Sequence, residues 1–130
     1  MALIVIDAGV VIGFLDRTDA HHEAAVAHLS ARRGDELVLP TSAFAEILVR
    51  PYQMGAAAVA AVDAFVRDLA IRLEPPTPTI AHRAAALRAR HRALTLPDAF
   101  VLATGDVLEA TAVLTTDGAW RRFSRRARAI

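Results

Sequence analysis

The chain has 130 residues, the size of one domain, and its 55% hydrophobic content is enough to build one buried core. It contains no cysteine, which excludes disulfides, zinc–thiolate sites and cysteine nucleophiles and suits a reducing, cytoplasmic setting. Net charge is only +1, yet all 15 cationic residues are arginine, and Arg121, Arg122, Arg125, Arg126 and Arg128 crowd the carboxyl end.

The amino-terminal run Leu3-Ile4-Val5-Ile6 is β-branched and strand length, and Asp7 interrupts it before it reaches the length of a secretory leader, so no exported or membrane form is expected. Ala8 to Leu15 carries apolar residues at helical spacing. A second helix is predicted over Ala20 to Arg33, stopped by a left-handed Gly34, followed by a strand at Leu37 to Leu39. Pro40-Thr41 leads into a helix from Ser42 to Val49, which the pre-proline position Arg50 should close.

Ala56 to Leu69 reads as an Ala/Val-rich packed helix, too short and too interrupted by Asp63 to cross a bilayer. A third strand is predicted at Ile71 to Leu73, then a rigid Pro75-Pro76-Thr77-Pro78 connector and a helix capped by Thr79 and reaching Arg92. Thr95-Leu96-Pro97-Asp98 has the chemistry of a helix start, leading into Ala99 to Glu109. A fourth strand follows at Ala112 to Leu114, then a turn at Thr115 to Gly118, a short helix around Trp120 to Phe123 and an edge strand in Ala127 to Ile130. Strands alternating with helices predict an α/β fold with a parallel sheet covered on both faces, because parallel neighbours need crossover connections.

In such sheets ligands collect outside the carboxyl ends of the strands. Asp7 ends the first strand and Asp117 lies just past the fourth; Asp98 stands in the first turn of its helix, and Glu46 lies one turn into the helix after the second strand. Four ionised carboxylates at one edge repel one another, so their convergence requires cations or raised pKa values. An all-oxygen donor set favours a hard cation, Mg²⁺ with Mn²⁺ as a substitute, which can activate water for attack on a phosphodiester.

These residues resemble the PIN-domain nucleases, and within them the VapC-type ribonuclease toxins of toxin–antitoxin pairs. Val5-Ile6-Asp7-Ala8 is similar to the family's opening strand, and Thr41 to Ile47 to its Glu-bearing helix. Leu94 to Thr104 around Asp98 and Leu114 to Trp120 around Asp117 match its two later signatures in residue order. The likeness spans nearly the whole chain and implies one PIN domain over residues 1–130, a three-layer α/β/α sandwich with about five parallel strands. It implies a magnesium-dependent endoribonuclease in which Asp7, Asp98 and Asp117 bind metal and Glu46 completes the catalytic acids. It also implies an RNA substrate, a cognate antitoxin and a homodimer. Gly9 departs from the family, where Ser or Thr commonly stands two residues after the first Asp; Thr115 matches the hydroxyl ahead of the last Asp.

The carboxyl-terminal arginines Arg121, Arg122, Arg125 and Arg126 are expected to bind phosphate, as guanidinium forks match its oxygens. A receiver-type phosphoacceptor and a GxxxxGK phosphate loop both need a lysine, and there is none. The five histidines show no zinc spacing and read as surface or packed residues. A catalytically idle PIN module and a DNA-directed nuclease keep the same fold with other partners, since phosphate contacts alone do not distinguish sugars.

Overall fold

Leu3–Ile6 form β1, a strand apolar on both faces because both faces are covered by helices. In the computed structural model, which describes residues 1–130, it leads into α1 (Ala8–Leu15), α2 (His22–Ser30), β2 (Glu36–Pro40), α3 (Thr41–Met54) and α4 (Ala56–Asp68). The chain continues through β3 (Arg72–Glu74), α5 (Pro78–Arg90), α6 (Leu96–Val107), β4 (Ala112–Thr115), a 3₁₀ helix (Gly118–Arg122) and β5 (Ala127–Ala129). The five strands make one fully parallel sheet in the order β3-β2-β1-β4-β5, within the expected three-layer α/β/α architecture.

Register fixes which strand ends lie together. Val5 pairs with Val38 of β2 and with Val113 of β4, so the carboxyl ends of the three central strands are level. Ile4, Val5, Ile6, Val38, Leu39, Val113 and Leu114 are buried in one core with Val10 and Val11 of α1 and Leu102 of α6. No helix is long and apolar enough to cross a membrane.

Four local expectations change. Helix α3 does not stop before Pro51; it runs through it to Met54. Pro51 removes one helical N–H donor, but the buried Ala43 and Ile47, with Phe44 and Leu48 packed on the core, hold the helix in place up to that point. The stop is Gly55, at φ +130°, whose N–H bonds the Pro51 carbonyl at 3.0 Å. Helix α2 starts at His22 rather than Ala20, because Asp16 and Asp19 turn the preceding chain through side-chain bonds to the N–H groups of Thr18 (2.9 Å) and His21 (2.8 Å). Gly34 is not left-handed; the helix ends at Ser30 and continues as turns. The cap of α5 is Thr77, whose hydroxyl accepts from the Ile80 N–H at 3.2 Å with Pro78 in the first turn, so Thr79 lies inside the helix.

Candidate active site

The sheet changes direction of travel at β1: the chain first builds outward through β2 and β3, then returns to add β4 and β5 on the other side. The crevice at that switch point lies between the carboxyl ends of β1 and β4. Asp7 stands at the end of β1 and caps α1, its Oδ1 accepting from the Ala8 N–H at 2.7 Å. Thr115, the buried last residue of β4, donates its hydroxyl to Asp7 Oδ2 at 3.1 Å and accepts from the Asp117 N–H at 3.0 Å. One hydroxyl therefore ties the first and last acids to each other. Asp117 in turn caps the 3₁₀ helix through the Ala119 N–H at 2.9 Å.

Asp98 sits in the first turn of α6, where Thr95 caps the helix and the favourable end of the helix dipole offsets part of its charge. Glu46 projects from α3, the helix that leaves the end of β2 without an intervening loop. It is exposed, as is Asp117.

Burial, helped by the charges of Asp98 and Glu46, pushes the Asp7 carboxyl up to about 6 against hydrogen bonds from Ala8 and Thr115. Burial raises Glu46, with Asp98 adding to it. Asp98 is raised by burial and by the charge of Asp117, while hydrogen bonds from Thr95 and Trp120 counter the rise. The four acids thus feel one another, and none forms an ion pair with any arginine or histidine.

A carboxylate-only set with no internal counter-charge fits a hard divalent cation. As the side chains lie, no three His, Asp or Glu groups are close enough to share one ion. Asp7 is pinned by two hydrogen bonds, whereas the Glu46 and Asp117 side chains are exposed.

Three neighbours of the site were not evident from the sequence. A β-carbon at Gly9 would collide with the Thr116 hydroxyl, so the place a side chain at residue 9 would take belongs to Thr116. Thr95 and Trp120 flank Asp98. Trp120 had a usable signal: it is the lone tryptophan, it is buried, and a buried indole N–H seeks an acceptor. Thr116 had none, because nothing in sequence links it to Gly9.

The arginines lie elsewhere. Arg121, Arg122, Arg125 and Arg126 line a cleft of about 990 Å³ together with Arg83 and Arg90 of α5 and Asp106 of α6, and none of the four acids lines it. Among the histidines, His22 Nδ1 lies 2.8 Å from the Gly13 carbonyl, and His91 packs on the Phe123 ring at 5.1 Å.

The PIN domain family model matches residues 4–126, and the chain belongs to that family. Three solved structures share the fold over nearly all of both chains. They are the Mycobacterium tuberculosis VapC20 toxin that cleaves the sarcin-ricin loop (TM-score 0.76, 20% identity, 92% of this chain and 93% of that one), a toxin–antitoxin complex from Klebsiella pneumoniae (0.78, 18%, 97% and 96%) and FitAcB from Neisseria gonorrhoeae (0.77, 17%, 98% and 96%). No curated protein sequence matches the chain.

Proposed function

We propose that this protein is a metal-dependent endoribonuclease and the toxin of a toxin–antitoxin pair. What supports the reading is that Asp7, Glu46, Asp98 and Asp117 feel one another's charge near the sheet's switch point, with no counter-charge from the chain itself. Asp7, Asp98 and Asp117 are the residues to hold Mg²⁺, with Mn²⁺ as a substitute, and Glu46 completes the acidic set. When bound, the ion would lower the pKa of a coordinated water and neutralise charge on the phosphodiester.

The rest is positioning by the chain. Thr115 fixes the rotation of Asp7 through Oδ2 while the Ala8 N–H holds Oδ1, so this carboxylate keeps one orientation. Thr95 and Trp120, beside Asp98, keep it more acidic than its burial alone would allow. RNA as the substrate is supported by the family and by the sarcin-ricin-loop activity of the VapC20 neighbour.

A partner is supported by exposed apolar side chains on α1 and α3. Val49, Tyr52 and Met54 are 59%, 71% and 68% exposed, and Ile12 and Leu15 are also open to solvent. These five groups stand on the helices before the Ala/Val-rich α4 rather than on it. Homodimerisation and antitoxin binding are the uses we assign to this surface, and a cytoplasmic location follows from the same role.

The test is cleavage of labelled RNA by the purified chain. We expect cutting with Mg²⁺, none in EDTA, and none for Asp98→Asn with a melting temperature no lower than wild type. Equal cutting in EDTA would remove the metal from the reading, and full activity in Asp98→Asn would remove the site.

A further inference from the structure

The arginine cleft is walled by α5 and the end of α6 on one side and by residues 121–126 on the other. Six arginines line it against a single carboxylate. Asp106 pairs with Arg83 at 2.7 Å and with Arg126 at 3.4 Å, and Arg126 also donates to the Ala110 carbonyl. Those contacts fix two of the guanidinium groups into the wall. Arg90, Arg121, Arg122 and Arg125 form no ion pair at all. Like-charged side chains crowded without counter-charge are destabilising unless an anion joins them.

Shape and lining exclude a small apolar ligand: only Val107 and Phe123 among the 11 lining residues are hydrophobic. An acidic peptide and a nucleic-acid strand both offer anions, but a second feature separates them. The Phe123 ring lies in the cleft wall, half-buried, with the Arg122 guanidinium 5.7 Å above its centre. With His91 packed on the ring and Arg122 over it, the flat surfaces left to a ligand are guanidinium planes, on which bases stack and aspartate and glutamate side chains do not.

The cleft also has a fixed relation to the acids. Asp98 and Asp106 are on one helix, eight residues apart, which is about 12 Å along its axis. We propose that this cleft is a second nucleic-acid site, in which Arg83, Arg90, Arg121, Arg122, Arg125 and Arg126 hold the phosphate backbone of a single strand a few nucleotides from the point of cutting. It rests on the nuclease reading for its substrate. It extends the carboxyl-terminal arginines to two residues of α5 that no local sequence pattern links to them.

The experiment separates binding from cutting. In the Asp7→Asn background with EDTA, anisotropy of a fluorescent 12-nucleotide oligouridylate is measured over a salt series for the otherwise native chain and for Arg90→Gln/Arg122→Gln/Arg125→Gln. None of these three makes an ion pair, so the melting temperature should hold or rise; Arg125→Gln alone, expected to give about a third of the effect, guards against misfolding of the triple variant. Each phosphate contact contributes about 0.7 to the slope of log affinity against log salt for single strands, so the triple variant should lower the slope by about 2 and weaken binding at least tenfold. In the active background with Mg²⁺, KM for the 12-mer should rise at least tenfold while cutting of a dinucleotide reporter is unchanged.

An unchanged slope and unchanged affinity for the 12-mer overturn the proposal, even where wild-type cutting upholds the nuclease reading. Absent cutting with an intact, arginine-dependent slope overturns the nuclease reading and keeps the cleft. A polyglutamate peptide that competes as strongly as the 12-mer would make the cleft a protein-docking surface and overturn its assignment to nucleic acid.

Discussion

The acidic edge and the arginine cleft are opposite in charge and in how each is held together. At the edge, hydrogen bonds from Ala8 and Thr115 hold Asp7, the Ala119 N–H holds Asp117, Thr95 and Trp120 flank Asp98, and no arginine pairs with any of the four acids. In the cleft, one carboxylate, Asp106, holds Arg83 and Arg126, and the other four arginines make no ion pair. Setting aside those six of the 15 arginines, and these five of the 14 acids, leaves nine of each sign. The rest of the chain is therefore balanced, and the two regions hold all of the imbalance. Helix α6 separates them with the sense its dipole favours, Asp98 in its first turn and the Arg83–Asp106–Arg126 cluster beside its last. A fold that could have neutralised these groups against each other keeps them apart, which leaves one surplus for cations and the other for anions.

The largest test of this contrast is Asp7→Asn. It should reduce cleavage by about 10³-fold, roughly 4 kcal/mol of barrier, while leaving strand binding in the cleft intact. In metal-free buffer the same change should stabilise the protein. The folded chain holds the Asp7 carboxyl at about 6 against an ordinary value of 3.8. Between those pH values the folded state keeps a proton that the unfolded state has released, so stability falls as pH rises through the window and levels off above it. The shift corresponds to about 3 kcal/mol at most. Thermal melting of wild type and Asp7→Asn in EDTA should therefore coincide near pH 4 and diverge by pH 7, with the variant higher. Curves that stay parallel across that range would mean that burial of Asp7 carries no charge penalty.

Thr115→Val tests how the edge is organised rather than how it is charged. Valine matches threonine in shape but removes both the donor to Asp7 Oδ2 and the acceptor for the Asp117 N–H. Losing such an orienting contact costs about 10- to 100-fold in activity, and the stranded N–H about 1–2 kcal/mol of stability. Steady-state cleavage of a dinucleotide reporter and urea melts check both. Wild-type rates in Thr115→Val would reduce the hydroxyl to a turn contact.

The two regions were not equally legible. Three of the edge acids could be placed because each is tied to a strong local signal: Asp7 to the end of a β-branched run, Asp98 to a Thr-Leu-Pro helix start, Asp117 to the turn after β4. Strand ends in a parallel sheet meet whatever their separation in sequence, so local readings sufficed. The cleft could be read only in part. Arg121 to Arg126 stood out as a run, whereas Arg83 and Arg90 lie on an Ala/Arg-rich helix whose partner is set by the packing of α5 against α6. Helix boundaries failed where tertiary packing outweighed a local rule: α3 passes Pro51 because its buried Ile47 face holds it, and Thr77 caps α5 two residues before the expected Thr79.

The smallest effect concerns the end of α6 nearest the cleft. Glu109 closes that helix at φ +52°, and Ala70 closes α4 at φ +51°, both in the left-handed region. In each turn the next residue's N–H reaches back five residues, Ala110 to the Gly105 carbonyl at 2.8 Å and Ile71 to the Val66 carbonyl at 2.9 Å, a closure that glycine adopts without strain. Glu109→Gly and Ala70→Gly should each stabilise the fold by about 0.5–1 kcal/mol, the relief of the left-handed backbone being partly offset by the greater freedom of glycine in the unfolded chain. Ala70 belongs to neither charged region, so its variant gives the backbone effect alone. Both residues are exposed and make no ion pair, so a stability gain seen only in Glu109→Gly would show that its carboxylate, and not its backbone, governs that end of α6.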